Sequence, residues 1–278
     1  MPELPEVETV RRGLERRVLG RRISAIRVLR PGAVRGHPDL WVTGARVAGF
    51  RRKGKTLIMK LTSEEARPDV HLIIRLGMTG QLVITPREAP LLPHTHVCML
   101  LDDGTEELRY RDPRRFGMLR LATAREALQI LDSLGPDALE MTESEFAGRM
   151  RGRRGAIKGW LLNQQVLAGL GNIYADEALF EARIHPQTPA GELSKAARHV
   201  LYCAIRKVLH QAIVLQGTSF RDYIDIEGRP GNYKSRLRVY GKAGQPCARC
   251  SEPIERITIC GRSSHFCPGC QRRSRTAV

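Results

Sequence analysis

Apolar positions recur at two different periods along this chain, and the change between them divides it. In residues 5–19, Val7, Val10, Leu14 and Val18 return every three or four positions, which predicts a helix with one buried face. From residue 22 to about 122 the period shortens. Segments 22–29, 45–51, 56–62, 70–76, 81–85, 96–101, 107–111 and 117–121 are short and β-branched or alternating. Turn residues such as Gly77-Met78-Thr79-Gly80 and Asp102-Asp103-Gly104 separate them. Many strands at close spacing predict a sandwich or barrel-like domain. Residues 123–142, Ala-rich and then Leu134-Gly135-Pro136-Asp137, read as a connection. The period is helical from 143 to 215, with helices expected over 156–164, 172–182 and 194–215, the last capped by Ser194. Residues 216–236 are polar and contain glycine, and a loop of that length inside a compact domain is usually functional or mobile. The tail Gln271-Arg272-Arg273-Ser274-Arg275 is basic and is expected to be flexible. The expected division is 1–125, a connection 126–142, 143–236 and 237–278.

Charge narrows the function. The 278 residues carry a net charge of +17, and the pI is near 10.2. Such an excess points to a polyanion, nucleic acid first. No 18-residue apolar run and no basic amphipathic helix rich in Trp or Phe supports a membrane. The start of the chain has acids and prolines where a secretory signal has a basic segment and an apolar one. Seven cysteines is an odd number, and four form two CxxC pairs, which favours a metal in a reducing compartment over disulfides. Cys247 and Cys250, then sixteen residues, then Cys267 and Cys270, suit a tetrahedral zinc on a hairpin ribbon. With all four positions filled by thiolates, that zinc is structural. Cys98, Cys203 and Cys260 have no partner pattern.

The chemistry is carried elsewhere. The chain starts Met1-Pro2-Glu3-Leu4-Pro5-Glu6-Val7-Glu8. A Met before Pro is commonly removed, which leaves a secondary amine on Pro2. An α-amino group titrates near 7.7–8.0, so roughly a tenth is unprotonated at pH 7. Attack on a carbonyl carbon then gives an iminium ion that cannot shed its charge by losing an N–H proton, a good electron sink for elimination. Glu3 lies next to it and can move a proton. A plainer reading has Pro2 and Pro5 stiffening the helix entry, and Glu3, Glu6 and Glu8 favouring the helix dipole.

Other stretches carry two readings each. Met78 in its Gly-flanked turn, and Phe116 beside Arg114 in Asp112-Pro113-Arg114-Arg115-Phe116-Gly117, are either core residues next to turns or wedges for a base stack. Arg51-Arg52-Lys53-Gly54-Lys55 is either a solvated face or a phosphate grip. Gly169-Leu170-Gly171 before a helix starting at Asn172 offers unpaired N–H groups to an anion. Arg262 is either a phosphate contact or a surface arginine.

Taken in order, PELPEVE at 2–8, RRKGK at 51–55, LGMTG at 76–80, PHTHV at 93–97, YRDPRRFG at 110–117, GLGNIYADEALF at 169–180, VYGKAGQPC at 239–247 and the four cysteines resemble the bacterial formamidopyrimidine-DNA glycosylase family. The resemblance implies an α+β chain of two domains: an N-terminal β-sandwich flanked by helices, and a helix–two-turn–helix domain ending in a zinc ribbon, with DNA between them. It implies excision of 8-oxoguanine and formamidopyrimidines from duplex DNA, preferably opposite cytosine, followed by β,δ-elimination. The same resemblance makes Pro2 the nucleophile, Glu3 the proton donor, Lys55 a phosphate holder that assists catalysis, and Glu6 a supporting residue. Met78, Arg114 and Phe116 would fill the vacated stack. His94, Lys158, Asn172, Tyr240 and Arg262 would lie at or near the DNA. By the same resemblance, Thr218 and Arg221 would belong to the loop that closes over the lesion. One structural Zn2+, no organic cofactor, no membrane partner, a monomer and a cytoplasmic, nucleoid-associated bacterial protein complete the expectation. The endonuclease VIII branch, which prefers oxidised pyrimidines, usually starts PEGPE and fills the stack from one loop. A non-catalytic zinc-ribbon DNA-binding protein would leave PELPE and Lys55 without purpose.

Overall fold

The computed structural model describes residues 2–37, 42–63, 68–102 and 104–273. Met1, Asp103 and the tail residues Ser274 and Arg275 lie outside the described residues. The chain divides into two compact units, residues 1–133 with 213–234, and residues 134–212 with 235–278.

The first unit starts with α1 (Leu4–Val18) and continues through nine strands: β1 (Ile23–Val28), β2 (Val34–Gly36), β3 (Arg46–Lys53), β4 (Thr56–Thr62), β5 (Val70–Arg75), β6 (Gln81–Pro86), β7 (Thr95–Leu101), β8 (Glu106–Arg111) and β9 (Met118–Thr123). They form a five-stranded sheet in the order β2-β9-β5-β4-β3 and a four-stranded sheet in the order β1-β7-β8-β6. All pairs are antiparallel except β2 with β9. Alternation sorts the side chains. Leu57, Met59, Leu72 and Ile74 join Val97, Met99, Leu108 and Tyr110 of the other sheet in one core. The stripe Val7, Val10, Leu14 and Val18 of α1 packs into the same core. On the opposite face of the larger sheet, Ile58, Ile73 and Ala122 pack against Ala127 and Leu131.

Those last two residues belong to α2 (Ala124–Asp132), a helix inside the stretch expected to be a connection. Thr123 and Glu126 form a capping box that starts it. The segment 213–234 clusters with the first unit and not with residues 143–212, because Tyr223 and Ile226 are buried in the sandwich core. The expected block 143–236 therefore straddles both units.

The second unit holds α3 (Glu143–Met150), α4 (Ile157–Leu162), α5 (Asn172–Glu181) and most of α6 (Lys195–Val214), then the hairpin of β10 (Glu255–Ile259) and β11 (Arg262–Phe266). Ser194 caps α6 through its Oγ, which accepts the Ala197 N–H at 3.1 Å. The link between α4 and α5 is tied by one side chain. The Gln164 amide donates to the carbonyls of Leu162 and Leu170 at 2.9 and 2.8 Å, and accepts the Gly169 N–H at 3.0 Å. Among the described residues no helix is long and apolar enough to cross a membrane.

Candidate functional site

The N-terminal turn is buried. Pro2 and Glu3 both lie inside, Glu3 with 2% of its surface exposed at the N-cap of α1. Glu6, at 1% exposed, places its two oxygens on different partners. Oε2 accepts the Glu3 N–H at 2.7 Å, and Oε1 accepts the Thr218 N–H at 2.7 Å. One carboxylate thus joins the first turn of the chain to the 216–236 segment. Gly217 permits this approach: its φ is +85°, and a Cβ there would lie 2.7 Å from Glu6 Oε1. Asn232 donates to the Leu215 carbonyl and Tyr233 to that of Gly217, so the segment closes on its own stem. Thr218 is buried and Arg221 is exposed.

Lys55 sits in the two-residue turn Gly54-Lys55, where Lys53 faces Thr56 and Gly54 has a φ of +57°. Lys53 points elsewhere; its Nζ donates to the Leu131 carbonyl at 2.8 Å, near the end of α2. Glu8 braces the Lys55 turn. It accepts Arg52 Nε at 2.9 Å, and Arg52 also donates to the Gly54 carbonyl at 3.1 Å. Burial alone raises the Glu8 carboxyl, but Arg11, Arg12 and Arg52 overcome it and hold it at about 2. Glu8 is therefore the anchor of an arginine cluster, a stronger role than the dipole partner expected of it.

Met78 is half-buried in its turn, whereas Arg114 and Phe116 are exposed. Phe116 presents 59% of its surface, which removes the core reading for it. The Arg114 guanidinium lies over the Phe116 ring, 4.8 Å from its centroid. His94 is exposed with a φ of 67°. His96, two residues on, is buried, as is Asp112.

In the second unit Asn172 begins α5, and its amide Nδ2 donates to Ser263 Oγ at 3.3 Å, beside Arg262 on β11. The Tyr240 ring meets the His265 ring edge-on at 5.1 Å. Asn172, Tyr240 and Arg262 are thus all tied to β11 or lie on it. Lys158 differs from expectation. It is fully buried, and its Nζ donates to Asp176 Oδ1 and to the Ser263 carbonyl, both at 2.6 Å. A lysine held this way is a structural cation of the unit, not a surface group for a phosphate.

Two neighbouring acids on α5, unmarked in the sequence reading, fasten the ribbon. Asp176 Oδ2 accepts the His265 N–H at 2.9 Å and its Nδ1 at 3.1 Å. Glu177 accepts the N–H groups of Arg238, Val239 and Tyr240 at 2.9–3.0 Å. Their partners lie 61–89 residues away along the chain, so no local pattern reveals them.

The four cysteines converge, with all four Sγ atoms within 4.8 Å of one another. Zn–S bonds of about 2.3 Å at tetrahedral angles place sulfurs about 3.8 Å apart. The observed separations are 3.9 Å for Cys247–Cys270, 3.3 Å for Cys250–Cys267 and 3.5 Å for Cys250–Cys270. The residues fit one structural zinc, closed to substrate. Cys98 is buried, and Cys203 and Cys260 are exposed thiols.

Three family models match in order: the formamidopyrimidine-DNA glycosylase N-terminal domain over residues 1–119, its H2TH domain over 134–223, and a zinc finger found in FPG and IleRS over 244–273. The formamidopyrimidine-DNA glycosylase of Heliobacterium modesticaldum is 44% identical, over 98% of this chain and 100% of its own. That of Symbiobacterium thermophilum is 45% identical, over 98% of this chain and 89% of its own. Among solved structures, the Lactococcus lactis Fpg bound to abasic-site DNA has a TM-score of 0.88 at 36% identity, covering 98% of this chain and 100% of that one. The same enzyme bound to DNA containing an oxidised pyrimidine has a TM-score of 0.88 at 37% identity, with the same coverage. On these grounds the chain belongs to the formamidopyrimidine-DNA glycosylase family.

Proposed function

We propose that this DNA glycosylase removes oxidised purines, 8-oxoguanine and formamidopyrimidines, from duplex DNA opposite cytosine, and then cuts the strand. In this reading the amine of Pro2, freed of Met1, attacks C1′ of the damaged nucleotide. The N-glycosidic bond breaks and the base leaves with a proton. Glu3 protonates the sugar ring oxygen, and an iminium links Pro2 to the opened sugar. The iminium draws electrons from the adjacent C–H bond, so the 3′-phosphate leaves by β-elimination and the 5′-phosphate by δ-elimination.

The observation that carries this reading is the buried N-terminal turn, in which Glu3 adjoins Pro2 and is fixed through Glu6. Low water access favours proton transfer from a positioned carboxyl over exchange with solvent. The bond from Glu6 to Thr218 supports a loop, Thr218 and Arg221 included, that reports on the lesion to the nucleophile. Lys55, steadied by Arg52 and Glu8, is read as the holder of a flanking phosphate. His94, Asn172, Tyr240 and Arg262 are read as further phosphate contacts, and Met78, Arg114 and Phe116 as the residues that refill the stack, Arg114 toward the orphaned cytosine.

Borohydride trapping on a duplex carrying one 8-oxoguanine opposite cytosine tests this. A covalent adduct on a chain starting at Pro2 is expected, and Pro2→Gly should abolish it while DNA binding persists. An adduct only on an oxidised-pyrimidine duplex would reassign the substrate class. Binding without any adduct would refute the lyase chemistry.

A further inference from the structure

We propose that Asp112 is a positioning residue that locks three DNA-contacting turns into one body. The proposal rests on reading Met78, Arg114 and Phe116 as the residues that fill the vacated stack. Asp112 follows β8 and is 0% exposed. Every hydrogen-bonding part of it is used. Oδ1 accepts the Thr79 hydroxyl at 2.5 Å, and the same hydroxyl oxygen accepts the Arg114 N–H at 3.1 Å. Oδ2 accepts the Gly117 N–H at 2.7 Å and the Tyr110 hydroxyl at 3.2 Å. Its own N–H donates to the His94 carbonyl at 3.1 Å, and its carbonyl accepts His96 Nε2 at 2.9 Å.

The partners of these bonds decide their meaning. Thr79 adjoins Met78. Gly117 adjoins Phe116. Arg114 and His94 are bonded in person, through their backbones. One buried side chain, its peptide groups and the Thr79 hydroxyl therefore bond at or beside Met78, His94, Arg114 and Phe116, four of the residues read as DNA contacts in this unit. The turns also touch directly, since a Cβ on Gly77 would lie 2.5–2.6 Å from the carbonyl group of Phe116. Two of the positions need to be held. His94, Arg115 and Gly77 have φ values of 67°, 57° and 63°, and for the two non-glycine residues that conformation persists only when the surroundings fix it. None of these bonds involves Pro2 or Glu3, the residues read as acting on the sugar. Asp112 acts through where Met78, Arg114 and Phe116 stand when a base is missing from the stack.

A role in refilling the stack and a role in folding make different predictions on single-stranded DNA, where there is no opposite base and no stack to refill. Thr79→Val keeps the shape but removes both the donor to Asp112 and the acceptor for Arg114. Loss of that bonding should lower the ratio of abasic-site cleavage in duplex to that in single strand by about tenfold, the worth of about one buried hydrogen bond. The preference for 8-oxoguanine opposite cytosine over adenine should fall by a similar factor, and Thr79→Ser should restore both ratios. Equal loss on duplex and single strand, or no change in either ratio, would overturn the proposal. Should Thr79→Val fail to fold, Asp112→Asn serves. Its amide turns one acceptor into a donor facing the rotatable Thr79 hydroxyl or the fixed Gly117 N–H, and the same two ratios decide. A wild-type protein that cleaves neither abasic substrate would instead refute the lyase reading, leaving the role of Asp112 to the binding preference for abasic duplex opposite cytosine over adenine, which Thr79→Val must then lower.

Discussion

Replacing Glu8 with Gln should remove a pH-dependent part of the stability of the first unit. The carboxylate accepts two bonds from Arg11 at 3.0 Å, one from Arg12 at 2.8 Å and one from Arg52 at 2.9 Å. Its pKa stands at about 2, against 4.5 for an ordinary glutamate. At 1.36 kcal/mol for each pH unit, that gap corresponds to about 3 kcal/mol. Arg11 and Arg12 are 20% and 52% exposed, so solvent screening lowers the figure to about 2 kcal/mol. The folded pKa lies below the unfolded one. The contribution is therefore complete above pH 4.5 and is lost as the pH falls toward 2. Urea denaturation of the wild type and of Glu8→Gln, at about neutral pH and at steps down to about pH 3, measures it. The variant should be the less stable near neutrality, because Arg52, whose side chain is 6% exposed, loses the negative charge beside it. The gap between the two proteins should close by about 2 kcal/mol toward the acid end. Two curves that stay parallel across that range would refute the account of Glu8 as the anchor of these arginines.

Chelation of the zinc, or Cys247→Ser, should abolish DNA binding while the β-sandwich keeps its circular dichroism, because the ribbon's buried cluster is only a handful of residues and metal binding supplies its folding energy. Gly217→Ala should cost about 1–3 kcal/mol in urea denaturation and impair base excision, because the new Cβ meets Glu6 at a left-handed backbone position; full stability in the alanine variant would count against that contact. DNA affinity should fall with salt by roughly 0.9 log unit per log salt for each phosphate neutralised, and Arg262→Ala should reduce the slope by about that amount. An unchanged slope would remove Arg262 from the phosphate contacts.

The eight longer strands of the sandwich were legible because at least one face of each is buried and turn residues mark their ends. Strand β2 was not, since three residues, Val34–Gly36, carry no readable alternation. Helix α2 was legible in principle: Thr123 and Glu126 stand at capping-box spacing, a stronger signal than the Ala-rich composition that masked it. Thr142 and Glu145 repeat the pattern at α3. Ordered motifs identified the N-terminal turn and the cysteine knuckles, because their spacing along the chain is itself the chemistry. The burial of Lys158 was not legible, because it depends on Asp176 and on a carbonyl 105 residues away. Asp112 passed as part of a turn for the same reason: its partner Thr79 lies 33 residues earlier.

The grip of α5 on the ribbon has a consequence for divergence. Glu177 holds three consecutive peptide N–H groups, and Asp176 holds a fourth along with one imidazole nitrogen. Peptide groups survive almost any replacement of the side chains that flank them, proline excepted. Residue 238, whose side chain is exposed, is therefore open to mutational drift without loosening the attachment, whereas the two acids are not, and Val239 is held to an apolar side chain by its burial in the cluster of Phe180 and Cys247. A ribbon fastened by its main chain is free to change the face it shows to a ligand while its seat stays the same, so specificity at that face and docking of the module evolve separately.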